Sequence, residues 1–152
     1  MKVSELQPQQ VFTIFDQITR IPRPSKKEDR IRAFLLDFAK NHGLAAKTDK
    51  IGNVLISKPA TPGHENAPRV ILQGHMDMVC EANDKSFNFE TTPITTVVDG
   101  EWVRAQGTTL GADNGIGVAT ALAVMTDPDL VHGPLDVQVK TLLENITITQ
   151  LQ

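Results

Sequence analysis

Residues 114–125 place the tightest constraint on any fold this chain can take. Ile116, Val118, Ala119, Ala121, Leu122, Ala123, Val124 and Met125 are nearly continuous, so a helix through them has no polar stripe to turn toward water and must be buried. The spacing places it against a sheet, and Pro128 ends it. Candidate strands lie on both sides in the chain. Val70-Ile71-Leu72, entered after Pro68 and left through Gly74, reads as a buried strand. Leu135-Asp136-Val137-Gln138-Val139 alternates as a strand after the turn at His132-Gly133-Pro134. Leu44 to Thr48 and Asn53 to Ser57 form a hairpin around Ile51-Gly52.

Two amphipathic helices precede these strands. Val11, Phe12, Ile14, Phe15 and Ile18 recur at helical spacing, with Pro8 suited to the first turn. Ile21-Pro22-Arg23-Pro24 breaks that helix. Ser25 and Glu28 have the spacing of a capping box. The helix they introduce buries Ile31, Phe34, Leu35 and Phe38 and stops at Gly43, with Arg30, Arg32 and Lys40 on a solvated face. Pro59 to Pro68 is an exposed loop carrying His64, and Cys80 to Pro93 is a long loop without clear period. Asp99-Gly100 is a turn that leads into a short strand at Trp102-Val103-Arg104. Strands and helices intermixed in this order give an α/β architecture, a mixed sheet flanked by helices.

Charge and composition narrow the function. The net charge of −3 and the lack of a basic tract argue against nucleic acid as a partner. No apolar run reaches the roughly 18 residues that cross a bilayer, and no signal-peptide core follows Met1, so no membrane role is expected. The lone Cys80 excludes an internal disulfide framework and fits a reducing, cytoplasmic setting; a small buried residue is its expected role.

Chemistry concentrates at two places. His75 and Asp77, two residues apart at a strand end, point to the same side. The imidazole suits a metal ion, with Asp77 either ligating or orienting it; a buried His satisfied by its Asp neighbour is the plainer alternative. Asp113 lies where the glycine-rich stretch Thr109-Leu110-Gly111-Ala112-Asp113-Asn114-Gly115-Ile116-Gly117 enters the apolar helix. That loop can cradle a phosphate, although it lacks both the P-loop and the dinucleotide glycine pattern. Asp113 can cap its helix. Asp113 can also bridge two cations about 3.5–4 Å apart. His132 precedes a turn and is read as structural.

These residues carry a resemblance. Ile21-Pro22-Arg23-Pro24-Ser25, Asp49-Lys50-Ile51-Gly52-Asn53-Val54, Gln73-Gly74-His75-Met76-Asp77-Met78-Val79, Asp99-Gly100-Glu101-Trp102-Val103-Arg104-Ala105, residues 107–117 and His132-Gly133-Pro134-Leu135 are similar to the N-terminal part of bacterial Xaa-His dipeptidases. These are aminoacyl-histidine dipeptidases, also called peptidase D or beta-alanyl-histidine dipeptidase, in the dizinc exopeptidase group. The resemblance implies zinc-dependent hydrolysis of Xaa-His dipeptides such as beta-alanyl-histidine, and two zinc ions in the full-length family. It makes His75 a zinc ligand, Asp77 the carboxylate that holds His75, and Asp113 the carboxylate bridging both metals, with Asn114 in a strained peptide beside it. In such sites a glutamate takes the proton of the bridging water.

The resemblance runs from near residue 6 to residue 137 and then stops. Counted without gaps, the base falls on Leu143, which cannot move a proton, and a zinc ligand falls on Glu144, whose neighbours do not resemble the family. Residues 1–137 therefore read as a partial metallopeptidase catalytic domain and residues 138–152 as a divergent tail of the kind a frameshift leaves. Members of the family are much longer, and homodimerise through a domain not represented here. The expectation is an incomplete copy, inactive alone, that holds at most one zinc weakly. The alternative is a non-enzymatic fragment that associates with another protein through an exposed sheet edge. Marginal stability is also expected, because the far face of the helix at Ile116 to Met125 would lack cover.

Overall fold

A computed structural model describes residues 1–141. After a short 3-10 turn at Val3–Glu5, the order is α1 (Gln9–Thr19), α2 (Asp29–Asn41), β1 (Ala45–Thr48), β2 (Val54–Lys58), β3 (Val70–His75), β4 (Thr96–Asp99), β5 (Trp102–Ala105), α3 (Ala112–Thr126) and β6 (Leu135–Lys140). Among the described residues, four strands form a mixed sheet in the order β1-β2-β6-β3, and β4 and β5 form a separate hairpin. The β6 strand runs antiparallel to β2 and parallel to β3, with Val137 opposite both Ile56 and Leu72. It continues in register to Lys140 opposite His75, so the expected boundary after residue 137 falls inside a strand.

The apolar helix dictates the layering. Val118, Ala119 and Leu122 of α3 are buried, as are Val137 and Val139 of β6, in one core with Ile14, Phe15 and Ile18 of α1 and Leu35 of α2. Fully burying a side chain of this size contributes about 1.5–3 kcal/mol. The far face of α3 is not bare, contrary to expectation: α1 packs along it, and Phe15 lies close enough to Gly115 that a Cβ there would meet its ring at 3.2 Å. The amphipathic spacing of α1 follows from this position, with one stripe on α3 and the other in water.

Three further expectations are corrected. Val70 and Ile71 are each 51% exposed, because β3 is the edge strand of the described sheet rather than a central one. Ser25 and Glu28 form no capping box. Helix α2 begins at Asp29 without a side-chain cap, Glu28 Oε1 accepts from the Lys26 amide at 2.9 Å, and the Ser25 hydroxyl is used elsewhere. Arg32 is not merely solvated, since its Nε donates to Gly52 O at 2.8 Å and its Nη1 pairs with Asp29 at 2.6 Å.

The β1–β2 turn is organised by Asp49. Its Oδ1 accepts from the amides of Ile51, Gly52 and Asn53 at 2.8–2.9 Å, and its Oδ2 accepts from Asn53 Nδ2 at 2.7 Å. Asn53, fully buried, in turn accepts the Thr141 amide at 3.0 Å. One turn therefore fixes the hairpin and the C-terminal end of β6 together, which sets the strand beside His75.

Candidate metal centre

The β3 strand ends at His75, and the chain then runs through buried Met76, Asp77 and Met78. His75 Nδ1 lies 2.9 Å from Asp77 Oδ1, and Nε2 lies 3.1 Å from Asp113 Oδ1. Both flanks of the imidazole thus face carboxylates, one 7% exposed at Asp77 and one freely accessible at Asp113, whose side chain is 90% exposed. Asp77 is placed to accept the Nδ1 proton, which would leave Nε2 free to share a metal ion with Asp113.

Asp113 reaches this position through the glycine-rich loop. Gly111 takes a left-handed conformation at φ +68° as α3 starts, and Asp113 and Asn114 depart from helical angles, with a cis peptide between them. No side chain caps the helix, so the capping reading of Asp113 has no hydrogen bond behind it. The glycines also serve the protein's own side chains. A Cβ on Gly111 would run into the Arg23 guanidinium, and one on Gly115 would lie 2.9 Å from it. A Cβ on Gly117 or Gly74 would run into the Asn114 carboxamide.

Arg23 is the residue that the sequence reading passed over. It is 1% exposed. Its Nη1 donates to the carbonyls of Met76 and Asp77 at 3.1 and 3.2 Å, and its Nη2 donates to Gly111 O at 2.6 Å. Burial lowers its pKa to about 10, with the nearby Asp77 carboxylate acting in the opposite direction. One cation thereby ties the end of the His75 strand to the turn that delivers Asp113. A second tie runs through Thr109, whose hydroxyl donates to Val79 O at 2.7 Å and whose amide donates to Glu81 O at 2.8 Å.

The remaining candidates fall away from this cluster. Cys80 is half-buried, and burial raises its thiol pKa, only partly offset by Arg23. His64 is exposed in its loop. His132 Nδ1 lies 2.7 Å from Gly133 O, in keeping with a structural role. Glu144 and Leu143 lie outside the described residues. A cavity of about 560 Å³ between α1 and α2, lined by Gln10, Ile14, Phe34, Phe38 and His42 among others, includes neither His75 nor Asp113.

The donors fit a cation. Two ligand atoms each about 2.0–2.2 Å from one zinc in tetrahedral geometry stand about 3.3–3.6 Å apart; His75 Nε2 and Asp113 Oδ1 lie 3.1 Å apart, so a few tenths of an ångström of opening by the accessible Asp113 side chain would admit the ion. Among the described residues, no group of three or more His, Cys, Asp and Glu side chains is placed to hold a metal ion.

No protein-family model matches the chain. Over 137 residues it is 50% identical to the cytosol non-specific dipeptidase of Escherichia coli (strain K12), covering 90% of this chain and 28% of that protein. The fold matches the aminoacylhistidine dipeptidase of Vibrio alginolyticus with a TM-score of 0.91 and 44% identity, over 95% of this chain and 30% of that one. A tripeptidase from Staphylococcus aureus shares the fold alone, with a TM-score of 0.71 at 21% identity, over 88% of this chain and 36% of that one. The resemblance read from the motifs is borne out, and the chain spans less than a third of the length of the two dipeptidases it matches.

Proposed function

We propose that this chain carries part of the catalytic domain of a zinc-dependent dipeptidase, with His75 and Asp113 as metal ligands and Asp77 as the carboxylate that orients His75. The observation that carries this reading is the double engagement of one imidazole, Asp77 on Nδ1 and Asp113 facing Nε2. His75 and Asp113 would hold the zinc, which when bound would supply polarisation of a scissile carbonyl and a water of lowered pKa. The chain's own part is to hold two donors in place: Asp77 fixes the ring, and Asp113 supplies oxygen from an accessible carboxylate. The names of the two dipeptidases support dipeptides as the substrate class, one being called non-specific and the other an aminoacylhistidine dipeptidase, and the name of the first supports a cytoplasmic location. No described helix is long and apolar enough to cross a membrane.

The chain alone is proposed to be inactive. Catalytic zinc sites normally have three protein ligands, whereas two donors converge among the described residues, and the counted position of the base is Leu143. Purified chain supplied with zinc is expected to leave beta-alanyl-histidine intact. Hydrolysis above background that disappears in Asp113→Asn would overturn the inactivity. Zinc binding that persists unchanged in His75→Gln would overturn the assignment of the ligand.

One observation favours a second reading, association with another protein chain. Val70 and Ile71 leave apolar surface on β3, which is an edge strand among the described residues, and an open strand edge offers unpaired backbone groups to a partner. A strictly monomeric chain that pairs with nothing at high concentration argues against it.

A further inference from the structure

We propose that Ser25 is a positioning residue of this centre, setting the orientation of His75 through Asp77; the proposal rests on the metal-site reading above. The Ser25 hydroxyl donates to Asp77 Oδ2 at 2.5 Å, while Asp77 Oδ1 faces His75 Nδ1 at 2.9 Å. The terminal torsion of an aspartate is broad, so a carboxylate engaged at one oxygen can swing. Engaged at both, Asp77 has its plane fixed and its second oxygen aimed at the ring. The imidazole then keeps its proton on Nδ1 and presents Nε2 outward, toward Asp113 at 3.1 Å.

Ser25 can set this geometry because its own segment is tied down. Pro24 bridges to Met78 in parallel fashion, and the Met78 amide donates to Arg23 O at 3.2 Å. The guanidinium of Arg23 binds the carbonyls of Met76 and Asp77 from the other side. Residues 23–25 therefore run alongside residues 76–78 as a short strap. Ser25 is itself exposed, whereas Asp77 is buried. Removing the hydroxyl leaves no core cavity, so its effect can be separated from a loss of folding.

The test compares wild type, Ser25→Ala and Ser25→Thr as purified full chains. In metal-free protein labelled with 15N-histidine, the His75 Nδ1 proton, identified by its absence in His75→Gln, is expected to exchange slowly in wild type. It should exchange at least tenfold faster in Ser25→Ala and slowly again in Ser25→Thr. Zinc affinity is expected to fall roughly tenfold in Ser25→Ala, within the range typical of groups that orient a ligand, with recovery in Ser25→Thr. The thermal midpoint is expected to fall by a few degrees at most, as for one lost hydrogen bond to a buried carboxylate, with exchange and zinc affinity read well below it. Equal exchange and equal zinc affinity in wild type and Ser25→Ala would overturn the proposal. So would a loss that threonine does not restore. If wild type binds no zinc while the exchange still responds to Ser25, the metal reading fails and the positioning role stands.

Discussion

Replacing Arg23 with methionine separates the structural tie at the centre from the donors it holds. The side chain keeps most of its apolar volume and loses three hydrogen bonds to the carbonyls of Met76, Asp77 and Gly111. Bonds from a charged donor contribute about 1.5–3 kcal/mol each, but their sum overstates the loss. Burial has already drawn the guanidinium pKa down to about 10, and Nε has no partner among the described residues, so part of that gain offsets desolvation. Removing one side of a buried charged network costs about 3–5 kcal/mol, and the lower end is expected because methionine restores packing. Urea unfolding followed by circular dichroism should show the midpoint falling by about 1–3 M at unchanged slope, given slopes of about 1–3 kcal/mol/M. Arg23→Lys should fall between, since an ammonium cannot span three carbonyls in two segments. A loss below about 1 kcal/mol for Arg23→Met, well under the range for broken buried charge networks, would refute the view that this cation joins the His75 strand to the Asp113 loop.

Gly111→Ala should destabilise by about 1–3 kcal/mol, from the left-handed backbone penalty and from a Cβ driven into Arg23 and Met78; a thermal midpoint equal to wild type would count against it. Asp49 is raised by burial, but the hydrogen bonds from Asn53, Gly52 and Ile51 outweigh this and hold its carboxyl below the ordinary carboxylate value. Its contribution to stability is therefore fully present above the unfolded value near 3.8 and lost as pH falls through the lower folded value. Asp49→Ala should destabilise the chain at pH 7 and flatten the acid limb of its stability profile, and an acid limb as steep as wild type would contradict this. Ile71→Lys places a charge on the half-exposed edge strand and should weaken any self-association seen by sedimentation; self-association that is undiminished would place the contact elsewhere.

The parts of the fold that were legible in the sequence are those fixed by local pattern. Helix α3 was visible because it has no polar stripe, and the β1–β2 hairpin because Gly52 lies where a turn must close. Strand β3 was recognised as a strand but misplaced in depth, because an apolar triplet such as Val70-Ile71-Leu72 does not say whether a neighbour lies on one side or two. The same limit applies to the centre. His75 and Asp77 stand out as residue types that suit a metal at a spacing of two, and Asp113 by its place at the entry of a glycine-rich stretch into a helix. The groups that hold them do not, because Arg23 and Ser25 act across more than 50 residues of chain. Ser25 was claimed by a nearer explanation, a helix cap three residues before Glu28, and only the long-range partner shows that Asp77 is its acceptor. The available trace of Arg23 was indirect: Gly111 and Gly115, one helical turn apart, leave space for something large. The sequence alone gives that space but not its occupant. A glycine-rich approach to a helix therefore has a third meaning besides a phosphate cradle or a turn, the admission of the protein's own guanidinium beneath the proposed metal ligand.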